Sequence, residues 1–376
     1  MRRFSILALL LGVFVSCINR GNGVDDDTCL TLNLDELSDM APTIKDLLYL
    51  PLETNDSCLI ADVDKILFMH NRFYIFDKQE KTVYIFDDNG KFVHKIRAIG
   101  NGPGEYIAPS DIDIDEEGNV YIADNPRKTI IKYPLDNTKP IETIEVGDYF
   151  LDFIIADSNY IYLGDMARNG KMNIKLARFD RITHTVNIIE TDERIDSDPI
   201  PFFANHYFFR SRNNTLYYYK RFSQAISIIN GGIVKEQIIL NSNKYPSEDI
   251  IEKWKIRGIK AMSEDYKYIR DISGCYETSN SIFITTQTSP LLYTIVNKQN
   301  GSVYNVFSLK DKRCCGNMVP MAVSDNYFIS YCLPTSNNIK RIVSNNAAMD
   351  KERKKSISLL TEDCNPILIL YRFDFD

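Results

Sequence analysis

Aspartates recur at fixed distances from aromatic residues along this chain, and oxygen ligands held in one register are the first candidates for chemistry. Asp64, Asp111 and Asp152 each stand ten residues before a tyrosine: Tyr74, Tyr121 and Tyr162. Asn205 and Asp271 stand twelve residues before Tyr217 and Phe283. That is two positions further back, hence the same face of a strand and one step along it. A partial ring of such oxygens could hold Ca²⁺ or bind the hydroxyls of a sugar. The same side chains can instead accept backbone N–H bonds where the chain turns, and spacing leaves both readings open. A second series, Asp77, Asp124 and Asp165, closes the tyrosine-headed segments and reads as structural.

Other chemistry is thinly represented. "GNGPGEY" at 100–106 has the glycine spacing of a phosphate loop, but such a loop must open a helix. Here "SDIDID" follows, which alternates as a strand. The glycines supply positive φ and Pro103 fixes a turn, so the segment reads as a corner between strands. Of four histidines, His70, His94 and His184 fall in turns or on an outer strand, and only His206 is placed on an inner one. Beyond Cys17, the cysteines form no CxxC pair, which argues against zinc. No Gly-x-Ser-x-Gly elbow occurs, and a lone Trp254 cannot supply the repeated tryptophan boxes of sialidases. Catalysis is neither demanded nor excluded.

The elements that would position the carboxylates come from a repeat. "YIFDKQEKTVYIF" at 74–86 aligns without gaps on "YIADNPRKTIIKY" at 121–133. Each copy reads as strand, turn and strand, followed by turn residues leading to a further strand. Weaker copies begin at Tyr162, Tyr217 and Phe283, and a broken one runs from Asn326 to the final "NPILILYRFDF". Several strands per repeat of about 40–50 residues is the pattern of a propeller blade. The fold class is therefore an all-β, six-bladed β-propeller of four-stranded antiparallel blades in a single domain, 28–376. Its blades fall near 60–100, 109–147, 149–191, 205–241, 270–309 and 316–376. "CLTLNL" and "LLYLPLE" belong to no complete blade, and one of them can close the ring as the outer strand of the last. Helical insertions are predicted near 246–266, where Ile250, Trp254, Ile259 and Met262 recur at helical spacing, and near 345–360. In such a ring the 100–106 corner lies on a face where ligands bind, making Glu105 and Tyr106 further candidates.

Composition narrows the partners. With 22 Tyr and 20 Phe against one Trp, strands are favoured. A formal charge of −7 lacks the basic footprint of a nucleic-acid binder. Residues 1–16 have a positive start and an apolar run too short to span a bilayer comfortably, the form of a signal peptide. Ser16-Cys17 and a polar tether at 17–27 follow. This junction resembles the lipobox of bacterial lipoproteins, which implies a lipid on Cys17 and a membrane anchor.

"PSDIDIDEEGNVYIADNPRKTIIKY" at 109–133 resembles an NHL-type blade. With "YLPLE", "GNGPGEY" and "NPILILYRF", the chain is similar to a family of bacterial six-bladed β-propeller lipoproteins. The resemblance implies a lipid-anchored protein of the cell envelope, at the outer membrane. The expected function is non-catalytic binding of a glycan, a peptide or an envelope protein. A Ca²⁺-dependent hydrolase or lactonase using the carboxylate ring is the alternative, and a scaffold subunit of an outer-membrane uptake complex is a third.

Overall fold

Val, Ile, Tyr and Phe crowd the repeated segments while Asp, Asn and Gly sit between them, so extended chain alternates with tight turns. The computed structural model describes residues 29–137, 139–168, 171–191, 207–230 and 233–375. The leader, Cys17 and its tether, Asn205 and His206 lie outside the described residues. Two strands come first, β1 (Leu30–Asn33) and β2 (Thr43–Pro51). Blade one is β3 (Lys65–Met69), β4 (Arg72–Asp77), β5 (Thr82–Asp87) and β6 (Phe92–Ile96). Blade two is β7 (Pro109–Ile114), β8 (Val120–Asp124), β9 (Thr129–Tyr133) and β10 (Glu142–Glu145). Blade three is β11 (Tyr149–Ile155), β12 (Tyr160–Arg168), β13 (Lys171–Asp180) and β14 (Thr185–Thr191). Blade four is β15 (Phe208–Arg210), β16 (Leu216–Tyr219), β17 (Ala225–Asn230) and β18 (Ile233–Asn241). Helix α1 (Glu248–Glu264) leads to blade five, β19 (Ile272–Glu277), β20 (Ser281–Thr286), β21 (Leu292–Asn297) and β22 (Val303–Val306). Blade six begins with β23 (Asn317–Val323) and β24 (Phe328–Cys332), passes through α2 (Ser336–Asn345) and α3 (Lys351–Ser358), and ends on β25 (Ile367–Asp374).

The two orphan N-terminal segments have different fates. Strand β2 pairs antiparallel with β25 along its length, from Thr43 opposite Asp374 to Pro51 opposite Ile367, and completes blade six. The ends of the chain thus meet inside one sheet, which removes the open edge a ring would otherwise keep. Strand β1 adds in parallel to β18 as a fifth strand on blade four. Between them, the Asn305 side chain of blade five donates to the carbonyls of Asn33 (2.8 Å) and Glu36 (2.9 Å). The N-terminal segment is therefore a belt across three blades.

Packing follows position in the blade. Second strands such as β8 and β20 are buried throughout, while the outer β14 alternates between exposed and half-buried residues. Apolar cores fill the spaces between neighbouring blades. Phe76 and Ile85 of blade one, for example, meet Ile112 and Ile122 of blade two.

Helix α1 packs Trp254 between Phe222 and Tyr268, with ring centroids at 5.9 and 5.7 Å, and is broken at Gly258, where φ is +75°. The second helical region differs from the expected 345–360. It consists of two helices, the first starting earlier and the second inside the expected range, each with its own cap: Thr335 accepts from Asn338 N (3.3 Å) and Asp350 from Arg353 N (2.8 Å). Among the described residues, no helix is long and apolar enough to cross a membrane.

Candidate functional site

The first strand of each blade faces the axis and has a ladder partner on only one side. Its remaining backbone groups must find other partners. On β7 the alternation "SDIDID" supplies them. Asp111 Oδ2 accepts the N–H of Phe153 (3.3 Å) and Asp113 Oδ2 accepts that of Ile155 (2.7 Å), both on β11. Carboxylates two apart on one strand thus reach N–H groups two apart on the next. Asp152 repeats the device one blade on, its Oδ2 accepting from Tyr207 N (2.6 Å) and Phe208 N (3.2 Å) at the start of β15. Ser211 then joins blades four and five, donating to the carbonyl of Glu277 (3.1 Å) and accepting its N–H (2.5 Å).

Cations complete this wall. Lys65 on β3 donates to Asp111 Oδ1 at 2.8 Å. Burial would discharge its ammonium, but Asp111, Asp152 and Asp113 hold its pKa above the usual value. Arg210 on β15 grips Asp113 with two bonds, Nη2 to Oδ2 at 2.5 Å and Nε to Oδ1 at 3.1 Å, and reaches the Ile155 carbonyl at 2.8 Å. Blades two and three are therefore tied to their neighbours by charge-assisted bonds, about twice as strong as neutral ones. Arg221 of blade four donates to Asp271 Oδ2, next to blade five, at 2.9 Å. Asp165 of blade three accepts from Tyr207 at the start of blade four and from Lys175 of its own blade, each at 2.6 Å. Burial pushes the Asp271 carboxyl up to about 6 against the pull of Arg221.

The other side of the hub is open. A cavity of 680 Å³ lies among β3, β15, β19 and β23. Phe68, Met321, Tyr276 and Tyr327 provide apolar and aromatic surface, and Ser273 and Gln287 provide neutral polar groups. The cations bordering it are engaged by the protein itself: Lys65 by Asp111, Arg210 by Asp113, and Arg212 by Asp325 at 3.7 Å.

The residues singled out from sequence are distributed unevenly over this geometry. Asp111, Asp152 and Asp271 are buried beside the axis, and their oxygens bond backbone N–H groups and cations. Asp64 borders the cavity and accepts the Lys78 N–H at 2.7 Å; partial burial pushes its carboxyl up. Asp64 is not among these buried carboxylates, and among the described residues no three His, Cys, Asp or Glu side chains are placed to hold a metal ion.

Glu105 and Tyr106 do not reach a pocket mouth. Glu105 folds back to accept the Gly102 N–H (2.7 Å), and the fully buried Tyr106 hydroxyl donates to the Lys81 carbonyl (2.8 Å). Arg127 and Tyr133 hold the rest of the corner, donating to the carbonyls of Glu105 (2.5 Å) and Gly104 (2.6 Å). Asp77 and Asp124 clamp the preceding crossings, accepting from Ala61 N (2.7 Å) and Ala108 N (3.1 Å).

Three contributors to the hub stand outside the aspartate register. Asp113 was within reach, since it shares a strand face with Asp111. Lys65 and Arg210 carried no spacing signal, because their partners lie on other blades.

These features define a six-bladed β-propeller with an ion-paired wall and an open cavity at its hub. The chain belongs to the family described as a domain of unknown function, DUF4934, whose model matches residues 24–372. No curated protein matches it in sequence. Among solved structures, a Bacteroides fragilis protein classed as exported is similar, with a TM-score of 0.76 at 18% identity, over 93% of this chain and 100% of that one. A virginiamycin B lyase from Staphylococcus aureus shows a TM-score of 0.36 at 11% identity, over 69% of this chain and 73% of that one. A likeness at that level assigns no chemistry.

Proposed function

We propose that the protein is a non-catalytic binding propeller of the cell envelope whose hub cavity takes a neutral glycan. The observation that carries this reading is the lining of the cavity. Its two buried cations, Lys65 and Arg210, are already paired with Asp111 and Asp113. Among the described residues, the one bordering carboxylate without a cation is Asp64, held by a backbone N–H. Aromatic rings and Ser, Asn and Gln side chains line the rest of the space. Sugars present apolar faces and many hydroxyls without charge, and sites for them combine flat apolar surface with a few placed polar groups. A charged ligand would have to compete with ion pairs already made. The apolar leader with Cys17 and the likeness to an exported protein support an envelope location, with the anchor at Cys17.

The test is binding of the purified chain to an array of neutral and acidic oligosaccharides, repeated with Ser273→Trp, which projects a bulky ring into the cavity. Retention of neutral glycans, lost in Ser273→Trp and kept in Ile182→Ala, an exposed turn residue that does not line the cavity, is expected. No retention, or retention that survives obstruction of the cavity, sinks the reading.

A further inference from the structure

The region where the ring closes holds two sulfurs in contact. Cys315 lies just before β23 and Cys332 ends β24, and their Sγ atoms stand 3.3 Å apart in the interior, with the residues 1% and 3% exposed. Asn317 pairs with Tyr331 in the same sheet. Gly316 makes the approach possible: a Cβ there would lie 2.6 Å from that of Cys332. The closing strand β2 is bonded over the pair, since the Tyr49 hydroxyl accepts the Cys315 N–H (3.2 Å) and donates to the Arg313 carbonyl (2.6 Å). A cavity of 320 Å³, lined by Cys314, Gly316 and Arg341, adjoins the site.

We propose that Cys315 and Cys332 are a disulfide-forming pair that staples β23 to β24 where β2 closes the ring. A bonded S–S distance is about 2.05 Å, so the sulfurs need to close by only about 1.3 Å. The two thiols are also differentiated. The hydrogen bond from Cys332, helped by the Tyr49 hydroxyl and the Arg341 charge, pulls the Cys315 thiol down, and the same contact pushes Cys332 up. Either thiol can open the exchange, and in one route Cys315 attacks and Cys332 resolves.

The oxidant is a disulfide. Cys315 attacks one of its sulfurs and expels the other as a thiolate. Cys332 then loses its proton to solvent and attacks Cys315, releasing the oxidant's second sulfur. Two electrons pass to the oxidant, which departs fully reduced. Because both cysteines are buried once β2 is in place, the exchange belongs to folding or to local opening of blade six.

The full chain carrying Cys314→Ser is refolded in glutathione with glutathione disulfide, alkylated under denaturing conditions and cleaved at methionine with cyanogen bromide. Fragment 263–318 should remain linked to fragment 322–349 until dithiothreitol is added, and the link should be absent in Cys315→Ser. Reduction should lower the melting midpoint of the linked chain by several degrees. Two free, alkylated fragments, or a link that persists in Cys315→Ser, would overturn the pairing. A linked chain whose midpoint does not move on reduction would overturn the staple.

Discussion

Asp271 holds its charge against its surroundings. It is fully buried, and burial raises its carboxyl to about 6 even with Arg221 bonded to it. The unfolded value is about 3.9, so between about pH 4 and 6 the folded state binds more protons. Stability from this group must therefore grow as the pH falls through 6 and level off near 4. Half-buried His94 acts in the opposite sense, because partial burial lowers its pKa and favours the neutral ring. Comparison with Asp271→Asn cancels His94. From pH 7.5 to 4.5 the wild type should gain about 2 kcal/mol on the variant, read from denaturant melts. A constant difference would show that Asp271 is ionised throughout.

Residue spacing placed Asp111, Asp152 and Asp271 near the axis but not what their oxygens bond. A carboxylate that could hold Ca²⁺ and one that bridges two strand edges look alike in sequence. The next-blade N–H groups that Asp111 and Asp152 bond lie some 40–55 positions away along the chain.

At the scale of elements, the corner at 100–106 shows why glycine recurs. Gly104 has φ +72°, and a Cβ there would run into the ring of Pro140. Gly147 has a similar φ, +84°, with nothing within 4 Å of its added Cβ. Gly104→Ala should therefore cost about 2–4 kcal/mol, the sum of backbone strain and a rigid collision. Gly147→Ala should cost only about 1 kcal/mol, the backbone part alone. Urea titration of both variants checks the order, and equal costs would mean that the corner yields. Reading 100–106 as a corner needed only its glycines, its proline and the alternating strand after it. That Tyr106 is core was hidden, because Lys81, Ile96 and Tyr133, which enclose it, come from two blades. The expected helix near 345–360 covers α3 but reaches only the last residue of α2, which starts at the Thr335 cap, directly after the strand β24 and its short turn.

For the whole molecule, closure by β2 is the decisive contact. Without it β25 becomes an exposed edge and the Tyr49 bonds to the 313–315 segment are lost. A chain starting at Ala41 lacks β1 but keeps β2, and should still unfold in one transition, with a lower midpoint. A chain starting at Glu53 lacks both strands and should not fold cooperatively, and a peptide spanning 41–53 added in trans should restore the transition. Calorimetry distinguishes these outcomes, and a cooperative transition in the shorter chain alone would show that blade six closes without β2.

By itself the sequence determined the blade: its strands, its turns and the number of repeats, because local hydrophobic alternation and turn chemistry act over a few residues. It also marked an aspartate register at the hub. Only the tertiary structure decided which N-terminal segment closes the ring, which cations meet those aspartates, where the hub stays open, and which two of the cysteines touch. Each of these depends on surfaces brought together by closing a ring, and a distance between blades leaves no periodic trace along the chain.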